Sequence, residues 1–371
     1  MNNKFYDHID HLHLEPTSAC SASCPSCARN WMGSHITPSE MHSGEFDPAW
    51  VNRFKNLNFI KCTINGNYGD LMNHADPIGL LTAIKNQWPR ISIQINTHGS
   101  GLDAEAWKQI GLLGWIGKGC ETVHTHFGID GTDSITHAKY RRGTDLDLIL
   151  ANAAAFIEGG GVATWVMTEF EHNKHQVDEA RYLSETMGFD QFILRPSTRH
   201  MDRMPSPVVQ VDGDKATVVD WIGPAKDSNP DFAKAEKSIR RGIKTMHAKG
   251  QYQVARQDSE TQFATVVDCW AKRENSIYVD AQGFLYPCGW LGKPILWQNV
   301  GINLKTSFSF NNTSESNPIH ILQHEFWELL HKSTKGNSLS PCQRSCGADS
   351  KSTEIDSNSI VQNFKALAGT E

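Results

Sequence analysis

The sequence predicts an α/β fold of parallel βα units, followed by a smaller α+β region. Three observations carry this expectation. Through about residue 200, six short strand-like segments alternate with helical stretches of ten to fifteen residues, the pattern of parallel strands joined by crossover helices. Glycine-rich turns close several of these strands, and ligands of parallel sheets collect at the strands' carboxyl ends. Beyond about residue 257 the segments shorten and four further cysteines appear.

The strands read in order. "HLHLEPTSA" is the first, and "FIKCTINGN" the second, ending in a glycine turn. "ISIQINTHGSG" is the third, closed by Gly99 and Gly101. "ETVHTHFGIDG", "VATWVMTEFEHN" and "FDQFILRPS" complete the six. The helical stretches are "DPIGLLTAIKNQ", "DAEAWKQIGLLG", "TDLDLILANAAAFIEGG" and "KHQVDEARYLSETMG". The last two stop at Gly159–Gly160 and Gly188, as helix C-termini commonly do. Residues 205–230 read as turn-rich with one short alternating strand, and "DFAKAEKSIRRGIKTMHAKG" as a polar, basic helix. "SIYVDAQGFLYPC" reads as a β-hairpin turning at Ala281–Gly283. The end is polar, then a short docking helix. The expected organisation is a core over 1–210, a connecting region with the basic helix over 211–256, a second domain over 257–350 and a tail over 351–371.

Composition narrows the class. A chain of 371 residues with 39% hydrophobic and 20% charged residues is an ordinary globular protein, too long for one small core. A net charge of −6 argues against a nucleic-acid groove. No apolar run of membrane-spanning length and no export leader is visible, so a cytoplasmic protein with no membrane partner is expected. In that compartment nine cysteines read as ligands, catalytic groups or buried residues rather than disulfides.

Three of the nine sit within eight residues, in "EPTSACSASCPSCARN". Cys20, Cys24 and Cys27 are spaced C-x3-C-x2-C at the end of the first strand. This is not the paired C-x2-C arrangement of zinc sites, and it offers three ligands where a closed tetrahedral site needs four. Here the sequence resembles the radical S-adenosylmethionine (SAM) enzymes, whose signature is this spacing in the loop after the first strand. The resemblance implies a partial (βα)6 radical SAM barrel followed by a small α+β twitch auxiliary-cluster domain. It also implies a 4Fe–4S cluster held by these three thiolates, its fourth iron left open for the amino and carboxylate groups of SAM.

Other segments extend the likeness. "INGNYGDLMNHAD" is similar to the family's Gly-Gly-Glu stretch, which implies SAM contacts at Gly66, Gly69 and Asp70, with Asp70 replacing the usual Glu. "NTHGS" resembles the turn after the third strand, implicating Asn96 and Thr97. "FGIDGTDSITHAKYRRGTDLDL" resembles the Ser-x-Asp-Gly strand and Arg-Gly loop, implicating Gly128, where Ser is usual, together with Asp130 and Arg142. Arg142 is the better match for the arginine on the SAM carboxylate, and Arg141 can exchange roles with it. Arg195 on the sixth strand is a further candidate for a SAM contact. Ser26 stands where an aromatic residue usually precedes the third cysteine.

The later cysteines resemble the twitch and SPASM auxiliary-cluster domains. Cys269 is followed after thirteen residues by Gly283, and Gly283 after four by Cys288. "PCQRSC" supplies Cys342 and Cys346. Four thiolates complete one further 4Fe–4S cluster, too few for the two clusters of a full SPASM domain. The competing reading is a structural zinc knot.

The implied activity is reductive cleavage of SAM to a 5′-deoxyadenosyl radical that abstracts hydrogen from a substrate C–H, with the auxiliary cluster in electron transfer. The outcome is peptide modification or small-molecule oxidation, with a flavodoxin- or ferredoxin-type protein as electron donor. Candidate catalytic residues are Cys62 and Cys120 as hydrogen donors, His126 on the inward side of the fourth strand, and Glu169 on the fifth. His124 shares the parity of His126, and Trp165 is a further candidate for the cavity wall. With 19 residues before Cys20, no fused leader-recognition domain is expected. The alternatives from other classes are a non-catalytic iron–sulfur electron carrier and a zinc-stabilised binding protein.

Overall fold

A computed structural model describes residues 5–37, 43–115, 122–197, 205–252, 267–292 and 309–334, with Cys342 and Cys346. Cys120 and the tail 351–371 lie outside the described residues. Six parallel strands pair in chain order: β1 (His11–Leu14), β2 (Lys61–Ile64), β3 (Ser92–Thr97), β4 (Val123–Gly128), β5 (Val162–Glu169) and β6 (Gln191–Pro196). The crossovers carry α1 (Pro77–Gln87), α2 (Ala104–Leu112), α3 (Ser134–Tyr140), α4 (Leu146–Glu158) and α5 (Val177–Thr186). Asp76, Asp103, Asp133 and Asp145 cap the first four of these, each accepting a backbone N–H of the first turn. Such a cap stabilises a helix by about 1 kcal/mol.

The alternation of each strand separates two faces. Leu12, Cys62, Ile93, Val123 and Ala163 share one face through the ladder register, and all are buried in the main apolar core. His13, Thr63, Gln94 and His124 share the other. One row further on, Asn96, His126, Thr164 and Gln191 follow them. The sheet is thus apolar towards its helices and polar inside, which is the amphipathic form a ligand-holding half-barrel requires.

The hairpin expected near the second cysteine set is present as β9 (Ser276–Val279) and β10 (Leu285–Tyr286), antiparallel and turned at Gly283 with φ +87°. Its place is a finding the sequence did not anticipate. β9 pairs in parallel with β1 in the register His13↔Tyr278, so the sheet has eight strands in the order β10-β9-β1-β2-β3-β4-β5-β6. The described part of the C-terminal region, with α7 (Trp270–Arg273), α8 (Pro318–Gln323) and α9 (Glu325–Thr334), also shares the main core. Phe5 and Tyr6 pack on Trp327, with ring centroids 5.9 and 5.6 Å away.

Residues 205–230 hold two strands where the sequence suggested one. β7 (Ser206–Asp212) and β8 (Lys215–Ile222) form an antiparallel hairpin, so β7 runs across the expected boundary at 210. The basic helix α6 (Phe232–Ala248) packs on this hairpin through Phe232 and Ile243, against Val209, Val218 and Trp221.

Candidate active site

The three-cysteine loop leaves the carboxyl end of β1 and is tied to the turns after β2, β3 and β4. Asp70 N donates to Ala19 O (2.9 Å), and Ser21 N to Asn73 Oδ1 (3.1 Å). Ser23 N donates to Arg142 O (2.7 Å), and Asn30 Nδ2 to Cys24 O (3.1 Å). The loop is therefore held in place by backbone and amide bonds that do not involve its thiols. Cys24 is buried, and Cys20 and Cys27 are half-buried. Burial, then the charge of Asp70, pushes the Cys20 thiol far up, and Cys24 and Cys27 add to the shift.

The glycine turn after β2 fits closely against the loop. A Cβ on Gly69 would lie 1.7 Å from Thr17 O, and one on Gly66 would lie 2.4 Å from the Glu15 carboxylate. Glu15 accepts the backbone N–H groups of Tyr68 (2.7 Å) and Gly69 (3.0 Å) and the hydroxyl of Tyr278. Asp70 is equally committed. It accepts from Thr97 Oγ1 (2.8 Å), His98 N (2.8 Å) and Met72 N (3.0 Å). These two buried carboxylates join the β1, β2 and β3 termini. His98 adds a third tie. Its Nδ1 accepts from Ser100 N (3.0 Å), which leaves Nε2–H shared between Asn73 Oδ1 (3.3 Å) and Ser21 Oγ (3.4 Å).

At the end of β4, Asp130 is fully buried and accepts from Thr168 N (2.6 Å) and Arg141 Nε (2.6 Å). A Cβ on Gly128 would lie 2.5 Å from Arg141 Nη2, so the guanidinium occupies the space that a serine there would need. Burial opposes that charge, yet Asp130 and the neighbouring Cys24 raise Arg141 above its ordinary value. Arg142 turns elsewhere, donating through Nε to Gly33 O (3.1 Å).

The inner face carries polar atoms without partners. His11 Nδ1, His13 Nδ1 and His126 Nδ1 are buried and make no hydrogen bond, and Ser26 Oγ in the cysteine loop is likewise unpartnered. His13 Nε2 donates to Asn65 O (2.8 Å), so in the neutral ring its Nδ1 is an acceptor. Burial keeps these rings neutral. It lowers His11 to about 3, with Lys61 adding to the shift, and it lowers His126, with Arg195 adding. Arg195 itself is exposed near the end of β6, paired in register with Thr168.

The second cysteine set meets the same face. Cys269, Cys288, Cys342 and Cys346 are half-buried. Burial pushes Cys288 up to about 12, with Cys269 and Cys346 contributing, and Cys342 is raised by burial and by the other three. Trp270, beside Cys269, sits edge-on to His11 at 6.1 Å, and a Cβ on Gly289 would lie 3.7 Å from His13. Among the described residues no three His, Cys, Asp or Glu side chains converge to hold a single metal ion. Both thiol sets suit a cluster, in which each thiolate anchors its own iron. Burial raises Cys20, Cys269, Cys288 and Cys342, and a bound metal cation favours the thiolate.

Three sequence expectations are corrected by register. Cys62 pairs with Leu12 and Ile93 on the helix-covered face and is fully buried there, so it cannot reach the interior. Trp165 is likewise buried outward, its Nε1 donating to Ile129 O (3.0 Å). Glu169 shares the parity of Trp165 and is exposed at the end of β5. Asn96 and His126 are paired in register on the polar face, while Thr97 spends its hydroxyl on Asp70. His11, His13, Glu15 and Tyr278 were missed. The alternation of "HLHLE" could have found the first three, by the argument that found His124 and His126.

No protein-family profile matches the sequence, and no curated protein matches it. Solved structures do. The chain is similar to native anSMEcpe with bound AdoMet and a Kp18Cys peptide, at 14% identity and TM-score 0.50, over 97% of this chain and 96% of that one. It is also similar to Streptococcus suis SuiB bound to precursor peptide SuiA, at 13% identity and TM-score 0.46, over 77% of this chain and 61% of that one. BtrN in complex with AdoMet and 2-DOIA matches at 12% identity and TM-score 0.44, over 94% and 97%. The chain therefore spans about three fifths of the length of SuiB. Among the described residues no helix is long and apolar enough to cross a membrane.

Proposed function

From a chain that has the fold of the radical SAM enzymes, we propose an enzyme that binds a 4Fe–4S cluster on Cys20, Cys24 and Cys27 and AdoMet beside it. One observation supports this most. The three-cysteine loop is bonded to the turns after β2 and β3 and to Arg142, above an inner face with unpartnered buried histidine nitrogens. When bound, the cluster and AdoMet supply one-electron cleavage of the C5′–S bond and hydrogen abstraction from the substrate. The protein's own residues bind and orient. Gly66 and Gly69 keep the turn close to the loop, and Asp70 and Thr97 hold the neighbouring turn to it. Asp130 fixes the Arg141 guanidinium beside Gly128 and Cys24, where it serves the AdoMet carboxylate; Arg142 holds the loop. His126 and Arg195 line the substrate space, and a C–H placed there is shielded from water by the surrounding sheet.

In this reading the second thiol set holds an auxiliary cluster in electron transfer, and the product is an oxidised peptide or small molecule. A peptide is the first substrate to test, because anSMEcpe and SuiB were each solved with one. The experiment is anaerobic reconstitution, then AdoMet and dithionite. Formation of 5′-deoxyadenosine with methionine is expected, and its absence would contradict the proposal.

A further inference from the structure

The hairpin inserted after β6 lies on the cysteine loop, and α6 lies on the hairpin's other face. Cys20, Cys24 and Cys27 pack with Val208 of β7 and Ile222 of β8. The hairpin also packs against Phe232 and Ile243 of α6. Trp31, four residues beyond Cys27, is fully buried in that same cluster and stacks on His247 of α6, centroids 6.2 Å apart. The order outward from the thiols is therefore one apolar layer with Val208 and Ile222, the β7–β8 hairpin, a second apolar layer with Val209, Val218 and Trp221, then the helix and solvent, and Trp31 links the segment after Cys27 to the helix.

The solvent side of α6 is cationic. Lys234, Lys237, Arg241 and Lys244 are exposed at steps of three, four and three residues, which puts them on one face of a helix. Among the described residues no carboxylate pairs with Lys237, Arg241 or Lys244. Lys234 meets Asp231 only at 3.8 Å, and Glu236 is taken by Arg240 at 2.8 Å. Arg240 turns inward, donating to Val218 O. This stripe is a local reversal in a chain of net charge −6.

Resting on the function proposed above, we propose that the outer face of α6 is the docking surface for a small acidic one-electron carrier protein. The carrier gives up one electron and the cluster on the cysteine loop takes up one. A carrier must bring its redox centre near that loop, and the stripe lies on the helix that covers the loop's hairpin, joined to the segment after Cys27 by Trp31 on His247. A substrate peptide has a different destination, the inner face with His126 and Arg195. Overall like charge repels an acidic protein from this chain, so the stripe steers its approach and sets its orientation.

The test uses the reconstituted protein and a bacterial flavodoxin as the probe. Wild type is compared with the Lys237→Glu, Arg241→Glu, Lys244→Glu triple variant and with the corresponding triple Gln variant, each checked for normal melting and iron content. The dissociation constant for flavodoxin should rise ~tenfold or more in the Glu variant and less in the Gln variant. Salt should weaken wild-type binding and leave the Glu variant little changed. Deoxyadenosine formation driven by reduced flavodoxin should fall in step, while that driven by dithionite stays. Equal flavodoxin binding by all three proteins, or none by wild type, overturns the inference. So does a loss confined to an acidic peptide probe. If dithionite yields no deoxyadenosine in wild type, the proposed function fails, and the binding series still decides the docking surface.

Discussion

Arg141 donates through Nε to Asp130 Oδ2 at 2.6 Å, and the accepting carboxylate is fully buried. Asp130 also receives Thr168 N–H, so one side chain joins the ends of β4 and β5 to the arginine that faces Cys24. Removing one partner of a buried pair leaves an uncompensated charge, at a cost of about 3–5 kcal/mol. Asp130→Ala should therefore lower the unfolding free energy by that order in urea titrations and loosen AdoMet binding. Unchanged stability would mean that Arg141 finds another partner.

Two glycines should respond in opposite directions. A methyl on Gly69 meets Thr17 O at 1.7 Å, and relief requires the cysteine loop to move. Gly69→Ala should destabilise by ~1–3 kcal/mol and reduce reconstituted iron. Gly242 lies inside α6 with nothing within 4 Å of the added carbon. Gly242→Ala should raise stability by about 0.5–1 kcal/mol. Chemical denaturation of both variants checks the contrast.

Stability should fall on the acid side of neutrality. Burial lowers His137 to about 4, and its Nδ1 accepts the Asp130 N–H at 3.2 Å, a bond that protonation would break. The unfolded ring titrates near its ordinary 6.5. Between those values the unfolded chain binds the extra proton. The contribution is thus complete above pH ~6.5 and lost as pH falls towards 4, at up to about 1.4 kcal/mol per pH unit. His11 and His172 shift in the same sense. His137→Gln should flatten the decline measured between pH 7 and 4.5, and an unaltered slope would refute the assignment.

The parallel core was legible because most strands alternate and four of the crossover helices open on an Asp cap. "HTHFG" put His126 on the parity of Gly128 and Asp130, and the β4 register sets it on the polar face beside Asn96. Cys62 obeyed the same rule, but "KCTI" had no reference residue to say which parity was inward. The pairing of β1 with β9 was not legible. It joins residues more than 260 positions apart, and local pattern carries no information on which strand will cover a sheet edge. Glu15 was hidden for that reason too, since Tyr278 arrives only with β9. The docking of α6 on the cysteine loop depends on Trp31, whose burial required the hairpin to be placed first.

Replacing Cys288 tests the second thiol set. Metal binding by thiols from distant segments is coupled to folding, and Cys288 follows β10, whose partner β9 lies on β1. Cys288→Ser should lower both the melting temperature and the iron content, the latter by about four atoms. Normal iron and normal melting together would refute ligation by this residue.

The central claim rests on Cys20, Cys24 and Cys27, and iron counting with product analysis tests it most directly. Wild type and the triple Cys→Ala variant are reconstituted anaerobically and given AdoMet and dithionite. Wild type should hold about eight irons and form 5′-deoxyadenosine. The variant should lose about four irons and form none, with its melting temperature close to wild type because backbone and amide bonds hold the loop. Deoxyadenosine formation by the variant at the wild-type rate would contradict the account.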